Sequence, residues 1–159
     1  MFKHCALTVF LLLPLTAAAQ TNIALGGISA DPTAPVEVTA DSLNVDQDSK
    51  SAVFSGNVVI GQGEMRISAA EVKVIYSDDT GDIAQLLASG GVTFVTATEA
   101  AEAASADYNL TTGLLTLTGE VLLTQGASAL SADSMVVNLT DGTATMQGRV
   151  RTVFQQGNP

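Results

Sequence analysis

The chain contains little of the chemistry on which most enzymes depend. Its 159 residues include one histidine, one cysteine and no tryptophan. His4 and Cys5 both precede the apolar run of a predicted export signal, so the processed chain is expected to lack both. A Ser–His–acid triad, a thiolate nucleophile, a disulfide and a zinc site built on histidine or cysteine are therefore excluded. Paired carboxylates remain available as general acid and base, but an enzyme ranks third among the functions we consider, and no cofactor is expected.

Basic residues are also scarce. Six lysines and arginines stand against 16 acidic residues, and the formal net charge is −10. A nucleic-acid-binding surface requires a basic face, and so does a surface that adheres to anionic membranes. Both classes are therefore disfavoured. The cations that remain beyond the predicted signal are Lys50, Arg66, Lys73, Arg149 and Arg151.

The N-terminus is typical of a secretory signal peptide. Lys3 precedes an apolar run at residues 6–15, and Ala17 and Ala19 occupy the small-residue positions of a signal-peptidase site. We therefore predict a signal peptide at residues 1–19, cleaved after Ala19, and export of a soluble protein to a compartment outside the inner membrane. The apolar run is shorter than the roughly 20 residues of a spanning helix, which disfavours the alternative of an uncleaved anchor.

The remaining chain is predicted to hold one folded domain. Residues 20–35 lack periodicity and are rich in glycine, proline and small residues, which indicates a flexible leader. From Val36 onward, apolar and polar residues alternate as in half-buried strands. We expect an all-β domain at residues 36–154, long enough for a core of its own, and a short tail at 155–159.

The apolar alternation slips by one residue at recurring points. Ile67 and Ala69, for example, are followed by Val72 and Val74. Because side chains along a strand have a period of two, each slip requires a bulge or a corner at which the strand bends and changes sheet. An acid lies beside each slip, and a structural role for these acids is favoured over catalysis. The predicted corners are at Asp41, Glu71, Asp107 and Asp133.

A second motif, Gly-x-Val, alternates with these corners. Its copies are separated by 34, 29 and 29 residues, and a period near 30 indicates stacked structural repeats. Glycine inside a strand permits a tight bend or a close approach of two backbones. Asp141-Gly142 predicts a hairpin turn, and Thr112-Gly113 predicts one more weakly. The copies begin at Gly56, Gly90, Gly119 and Gly148.

Two further segments have competing interpretations. Residues 97–106 have high helix propensity but no large apolar side chain to bury, and strands flank them, so we expect extended structure or a loop. Aspartates cluster at residues 46–48 and 78–82. Calcium can bind such loops, but the ligand spacing is incomplete, so solvated turns are favoured and no metal site is expected.

One face of the predicted strands is apolar throughout. Such a face is consistent either with an ordinary filled core or with an apolar groove that holds acyl chains, and periodicity alone does not separate the two. The predicted lining consists of Val45, Phe54, Val58, Ile60, Met65, Ile67, Val72, Val74, Phe94, Leu115, Leu117, Val121, Leu123, Met135, Val137, Met146 and Val150.

Several short segments of the sequence resemble the OstA-like domain family. The most specific is FSGNVVIGQG at residues 54–63, and VEVTADSL at 36–43 and MRISAAEV at 65–72 fit the same pattern. LTGEVLLTQG at 117–126 and GRVRTVF at 148–154 extend the resemblance to the end of the predicted domain. The resemblance implies a twisted, V-shaped β-jellyroll of two antiparallel sheets.

The resemblance also implies a function. Members bind the lipid A part of lipopolysaccharide in an apolar cleft, which the lining above would form, and pass it from the inner to the outer membrane. They self-associate head to tail, in a bridge between an LptC-like inner-membrane protein and an LptD-like outer-membrane protein. Arg66, Arg149 and Arg151 are then candidate phosphate contacts, with outward solubilising charge as the alternative. The second function that we consider is a structural β-repeat protein of the cell envelope, with a filled core and protein partners only.

Overall fold

The structure is a computed structural model that describes residue 31, residues 33–155 and the backbone of residues 22–24. These parts of the chain form eleven strands and no helix, so the predicted all-β class is confirmed. The predicted signal peptide and its cleavage site lie outside the described residues. The strands are β1 (Asn22–Ala24), β2 (Glu37–Thr39), β3 (Ser42–Asp46), β4 (Ser51–Gln62), β5 (Met65–Tyr76), β6 (Ile83–Val95), β7 (Glu99–Asn109), β8 (Leu114–Gln125), β9 (Ser128–Asn138), β10 (Thr143–Gln147) and β11 (Arg151–Val153).

All strands join one antiparallel sheet in the order β1-β10-β9-β8-β7-β6-β5-β4-β2. The six long strands β4 to β9 pair with their neighbours in sequence, as a meander. The sheet forks at both ends, because β2 and β3 both pair with β4, and β10 and β11 both pair with β9. β1 lies within the predicted leader and covers the outer edge of β10.

The Gly-x pairs of the repeated motif form a line of bulges across the sheet. In each pair both residues have positive φ, as in Gly56 at 80° and Asn57 at 47°. Positive φ is uncommon for a residue other than glycine. Opposite each bulge the neighbouring strand has one residue fewer, so its alternation slips by one, as at Ala70. The other pairs are Gly90-Gly91, Gly119-Glu120 and Gly148-Arg149.

Two of these glycines are required by close approach of the neighbouring strand. A Cβ atom at Gly90 would lie 2.6 Å from the Cβ of Ala70, and one at Gly119 would lie 2.7 Å from the Cβ of Ala104. Glycine therefore faces a small or acidic residue at every rung of this line, which we call the corner ladder. Its rungs are Gly56 against Asp41, Gly90 against Ala70, Gly119 against Ala104, and Gly148 against Asp133.

The predicted corners are only partly correct. Asp41 and Asp133 are on the ladder, and Glu71 follows its Ala70 rung. Asp107 was wrongly assigned, because the register of β7 shifts between Glu102 and Ser105. Asp107 lies past the bend, where its Oδ1 accepts a hydrogen bond from Gln85 at 2.7 Å. A small residue, not an acid, is what the close approach at this rung requires.

The acids on the two outer rungs bind the residue that follows the facing glycine. Asn57 Nδ2 donates to Asp41 Oδ2 at 2.8 Å. Arg149 Nη2 donates to Asp133 Oδ1 at 2.6 Å, and Arg149 Nε adds a second contact at 3.1 Å. The backbone N–H of each acid also donates to the carbonyl of its facing glycine. These bonds fix the bend at both ends of the ladder.

The Asp133–Arg149 contact predicts that part of the folding stability is lost at low pH. Hydrogen bonds from the Arg149 guanidinium, helped by its charge, lower the pKa of Asp133 below its ordinary value. Stabilisation is then present above the unfolded-state pKa and is lost as the pH falls through the lowered one. We expect Asp133→Asn to lower the urea midpoint at pH 7 and to have little effect near pH 2. Arg149→Gln should remove the same pH-dependent component, and the double variant should remove no more. A difference that persists at pH 2 would contradict this assignment.

The corner ladder divides the sheet into two walls. Apolar side chains on one face are buried in both halves, and no other layer of the described residues covers that face. The sheet must therefore fold along the ladder so that its halves face each other. The front wall comprises β2, β11 and residues 58–62, 65–69, 92–95, 99–103, 121–125 and 128–132. The back wall comprises β1, β3, β10 and residues 51–55, 71–76, 83–89, 105–109, 114–118 and 134–138.

The V-shaped jellyroll is therefore confirmed, with a refinement. Its two sheets are the two halves of one continuous hydrogen-bonded sheet. The strand ends that lie away from the corner ladder form the open side of the V, which we call the mouth. Residues 97–106 belong mainly to β7, in agreement with the extended structure predicted for them. Ala101, Ala103 and Ala106 face the interior there.

Candidate functional site

The interior between the walls is the main feature that could bind a ligand. It is apolar except for a few polar side chains along the mouth, and the large side chains inside it are packed closely. Phe94, Ile60 and Leu115 are 0% exposed. The predicted lining residues that are buried there are Val58, Ile60, Met65, Ile67, Val72, Val74, Phe94, Leu115, Leu117, Val121, Leu123, Met135, Val137 and Met146.

Three predicted lining residues lie near the ends of this interior. Val45 is 60% exposed on β3, Val150 is 41% exposed just before β11, and Phe54 is half-buried on β4. β3 and β11 are at opposite ends of the sheet. The apolar face thus extends beyond the packed region at both ends, where Leu43 and Phe154 are also exposed.

Sequence reasoning missed the buried polar residues at the strand ends. Ser51, Gln62 and Glu99 are buried, and all three lie at strand ends along the mouth. Gln62 has the parity of Val58 and Ile60, so the alternation already pointed it inward. Alternation places such a residue on the inward face but does not indicate whether an amide or a carboxylate there has a partner.

Gln62 joins the two walls. Its Oε1 accepts a hydrogen bond of 2.8 Å from the Tyr108 hydroxyl. Gln62 ends the front-wall half of β4, and Tyr108 lies near the end of β7 on the back wall. β4 and β7 are not neighbours in the sheet, so this bond crosses the interior. The Gln62 side-chain N–H also donates to the Ala34 carbonyl at 3.2 Å.

Burial raises the pKa of the Tyr108 phenol above its ordinary value. The neutral hydroxyl is the form that donates to Gln62. Its contribution to stability is complete below the unfolded-state pKa and is lost as the pH rises through the raised one. The bond across the mouth is therefore intact at neutral pH.

Glu99 is held entirely within the front wall. Its Oε2 accepts hydrogen bonds from the hydroxyls of Thr96, at 2.8 Å, and Thr98. Its Oε1 accepts one from Gln125 Nε2 at 3.0 Å. These donors satisfy a carboxylate that is only 3% exposed, as a buried polar group requires. This cluster closes the ends of β7 and β8 without reaching the back wall.

The candidate phosphate contacts are not brought together. Arg66 points outward from β5, and its Nη1 donates to the carbonyls of Gly63 and Met65 at 2.6 and 2.8 Å. Arg149 is bound to Asp133 on the corner ladder. Arg151 is exposed on β11, at the other end of the sheet from Arg66. All three lie on the outer surface, and the interior has no arginine among the described residues.

Neither a metal centre nor a membrane-spanning helix is found in the part of the chain that the structure describes. Within that part, no three acidic, histidine or cysteine side chains are placed to hold an ion. The same residues contain no helix of the length and apolarity needed to cross a bilayer.

Comparison with known families identifies the family of this chain. Residues 37–158 match the family model described as LptA/(LptD N-terminal domain) LPS transport protein. The chain belongs to this family. It is an LptA-like member, and the resemblance to the OstA-like domain is confirmed. The family is one of lipopolysaccharide transport proteins, not of enzymes.

Two individual proteins are similar to this chain. An uncharacterized protein of Rhizobium meliloti (strain 1021), R00383, is 26% identical over 117 residues, which cover 69% of this chain and 63% of that protein. The chain thus matches under two thirds of that relative's length. The crystal structure of LptH from Pseudomonas aeruginosa superposes with a TM-score of 0.72 at 17% identity. It covers 80% of this chain and 99% of LptH, and shows that the two share a fold. LptH is described as the LptA homologous periplasmic component of the lipopolysaccharide transport device.

Proposed function

We propose that this protein is a periplasmic carrier and bridge segment that binds the acyl chains of lipid A between its two walls. Lipopolysaccharide would pass along the interior from the inner toward the outer membrane. The observation that carries this proposal is the apolar interior, which runs through the sheet and continues as exposed apolar residues at both ends. Membership of a lipopolysaccharide transport family supports it.

The energetics of the cargo explain why such an interior is needed. Each methylene group moved from an apolar environment into water costs about 0.8 kcal/mol. A lipid with several acyl chains contains dozens of methylenes, so free diffusion through an aqueous compartment is excluded. A continuous apolar path removes this barrier because the chains are never fully hydrated.

The two ends of the sheet support head-to-tail assembly. β3 is exposed along its whole length and carries Leu43 and Val45. At the other end β11 is a short edge strand flanked by Val150 and Phe154. Unpaired strand edges recruit further strands. We propose that such contacts link copies of the chain to one another and to LptC-like and LptD-like partners.

The proposal also requires export. It assigns residues 1–19 to a signal peptide cleaved after Ala19, residues 20–35 to a leader, residues 36–154 to the transport domain, and residues 155–159 to a tail. In this proposal the arginines Arg66, Arg149 and Arg151 contact phosphate only from the outer surface, since none reaches the interior.

Photo-crosslinking tests the binding site. A photoreactive residue at Val74 or Met135, both inside, is expected to trap lipopolysaccharide in cells. Lys73, the outward neighbour of Val74, is the matched control and should trap little. Glu37, exposed on β2, is a second control. Labelling confined to Lys73 and Glu37 would overturn the proposed path.

A second function is favoured by the tightness of the packing. Because the largest interior side chains are less than 2% exposed, the protein would suit a structural β-repeat role with protein partners only. A delipidated preparation that takes up no lipid A, while retaining its fold, would support this alternative. Uptake of lipid A would exclude it.

A further inference from the structure

The closed interior raises the question of where it opens. Val72, Leu117 and Met135 are 0% exposed, so an acyl chain has no room beside them in this state. Protein interiors are close-packed, and an added methylene forces the surroundings to move. Binding of a lipid therefore requires the walls to separate. The separation must occur along one of the two long sides of the V.

The corner side is built to stay joined. Every long strand passes through the ladder without interruption, so the walls are covalently continuous there. The outer rungs add the bonds from Asn57 to Asp41 and from Arg149 to Asp133. Paired glycines such as Gly90 and Gly91 supply the backbone conformations that a bend requires. The ladder is thus a hinge line.

The mouth side is held by non-covalent contacts between side chains. The Tyr108 hydroxyl donates to Gln62 Oε1 from the opposite wall, and both side chains are at most 4% exposed. Gln62 is anchored to its own wall region by its bond to the Ala34 carbonyl. In contrast, the Glu99 cluster lies within the front wall and can stay intact when the walls move apart.

We propose that Gln62 and Tyr108 form a clasp that closes the mouth, and that it opens to admit a lipid with several acyl chains. This inference rests on the proposed function for its ligand class. The wall separation itself is a property of the empty protein and is measured without lipid. Breaking the clasp leaves an amide oxygen and a hydroxyl without each other at the mouth, where water or a polar group of the incoming molecule can replace the lost bond.

The strength of the clasp suits a reversible closure. A hydrogen bond within a protein makes only a modest net contribution, because water replaces it when it breaks. Removing the Tyr108 hydroxyl should therefore raise the population of the open state by roughly two- to tenfold. Tyr108→Phe retains the ring and its packing, whereas Tyr76→Phe changes the other tyrosine and leaves the clasp intact.

The lipid-free test uses a buried thiol. The chain beyond the predicted signal has no cysteine, so Val74→Cys places a single thiol in the closed interior. Tyr108→Phe in this background is expected to raise the rate of alkylation by iodoacetamide by roughly two- to tenfold. Tyr76→Phe should leave the rate within about twofold. Equal rates for Tyr108→Phe and Tyr76→Phe would overturn the clasp, whatever the protein binds.

The second test clamps the mouth. The variant Gln62→Cys/Tyr108→Cys carries two thiols, which are joined by a reducible bifunctional thiol reagent. The control joins Val59 and Ser68, which pair on neighbouring strands of the front wall and so leave the two walls free to separate. Uptake of purified lipopolysaccharide should fall at least tenfold only in the protein clamped across the mouth, and reduction should restore it.

The outcomes of the clamp separate the two proposals. Undiminished uptake by the protein clamped at Gln62 and Tyr108 would overturn the clasp and leave the lipid-binding function standing. Absence of uptake by the unclamped protein and by the clamped control would overturn the proposed function, and with it the ligand class of the clasp. Faster alkylation in Tyr108→Phe would then still show that the mouth opens.

Discussion

Gly90→Ala is expected to destabilise the protein by about 2–5 kcal/mol, and Gly91→Ala by only about 1–2 kcal/mol. The two glycines have nearly equal φ angles, 81° and 84°, so both substitutions incur the same left-handed strain. Only Gly90 meets its neighbour, since a Cβ there would lie 2.6 Å from the Cβ of Ala70. A Cβ at Gly91 has no atom within 4 Å. Urea unfolding of the two variants measures the difference.

A rescue variant separates strain from clash. Ala70→Gly in the Gly90→Ala background removes the atom that a new Cβ would strike. It should recover the difference between Gly90→Ala and Gly91→Ala, but not the strain that both share. If Gly90→Ala and Gly91→Ala were equally stable, the close approach at the corner ladder would be of no energetic importance.

Phe94→Ala is expected to cost about 3–5 kcal/mol of unfolding free energy. Phe94 is 0% exposed, and truncation leaves a cavity that its neighbours can only partly fill. Val95 follows it on β6 but points outward and is 39% exposed, so Val95→Ala serves as the control. Surface substitutions of that kind usually change stability by less than about 0.5 kcal/mol. Both values come from urea denaturation monitored by circular dichroism.

The outcome also bears on how the interior responds to extra space. A cost well under 2 kcal/mol for Phe94→Ala would mean that the walls close around the cavity. The interior would then be a flexible lining, and the tight packing would be no obstacle to lipid entry. The expected larger cost describes walls that keep their spacing, with opening confined to a hinge and a mouth.

The alternation of residues predicted the fold well. Side chains along a strand point alternately to its two faces. Val58 and Ile60 therefore share a face, and so do Leu115 and Leu117. The parity slips then required a bend at a common level of neighbouring strands. What the alternation did not predict was which strand holds the extra residue. The structure places it at the Gly-x pairs, because two successive positive φ angles are needed there.

Polar chemistry was predicted less well. Gln62 and Glu99 have inward parity, but whether an inward polar residue is paired depends on partners distant in sequence. Tyr108 is 46 residues from Gln62, a separation that no local pattern encodes. The prediction of a corner at Asp107 is wrong for a different reason, because an acid next to an apparent slip need not lie at the bend. Closure of the interior depends on the distance between walls, which periodicity does not contain.

The corner ladder also allows the domain to be lengthened by adding repeats. Each repeat of 29 residues between Gly90, Gly119 and Gly148 supplies two long strands and one rung of the bend. Neighbouring strands are about 4.8 Å apart, so one repeat lengthens the enclosed space by about 10 Å without altering its cross-section. The chain thus sets the width of the interior by the residues around each bend, and its length by the number of bends.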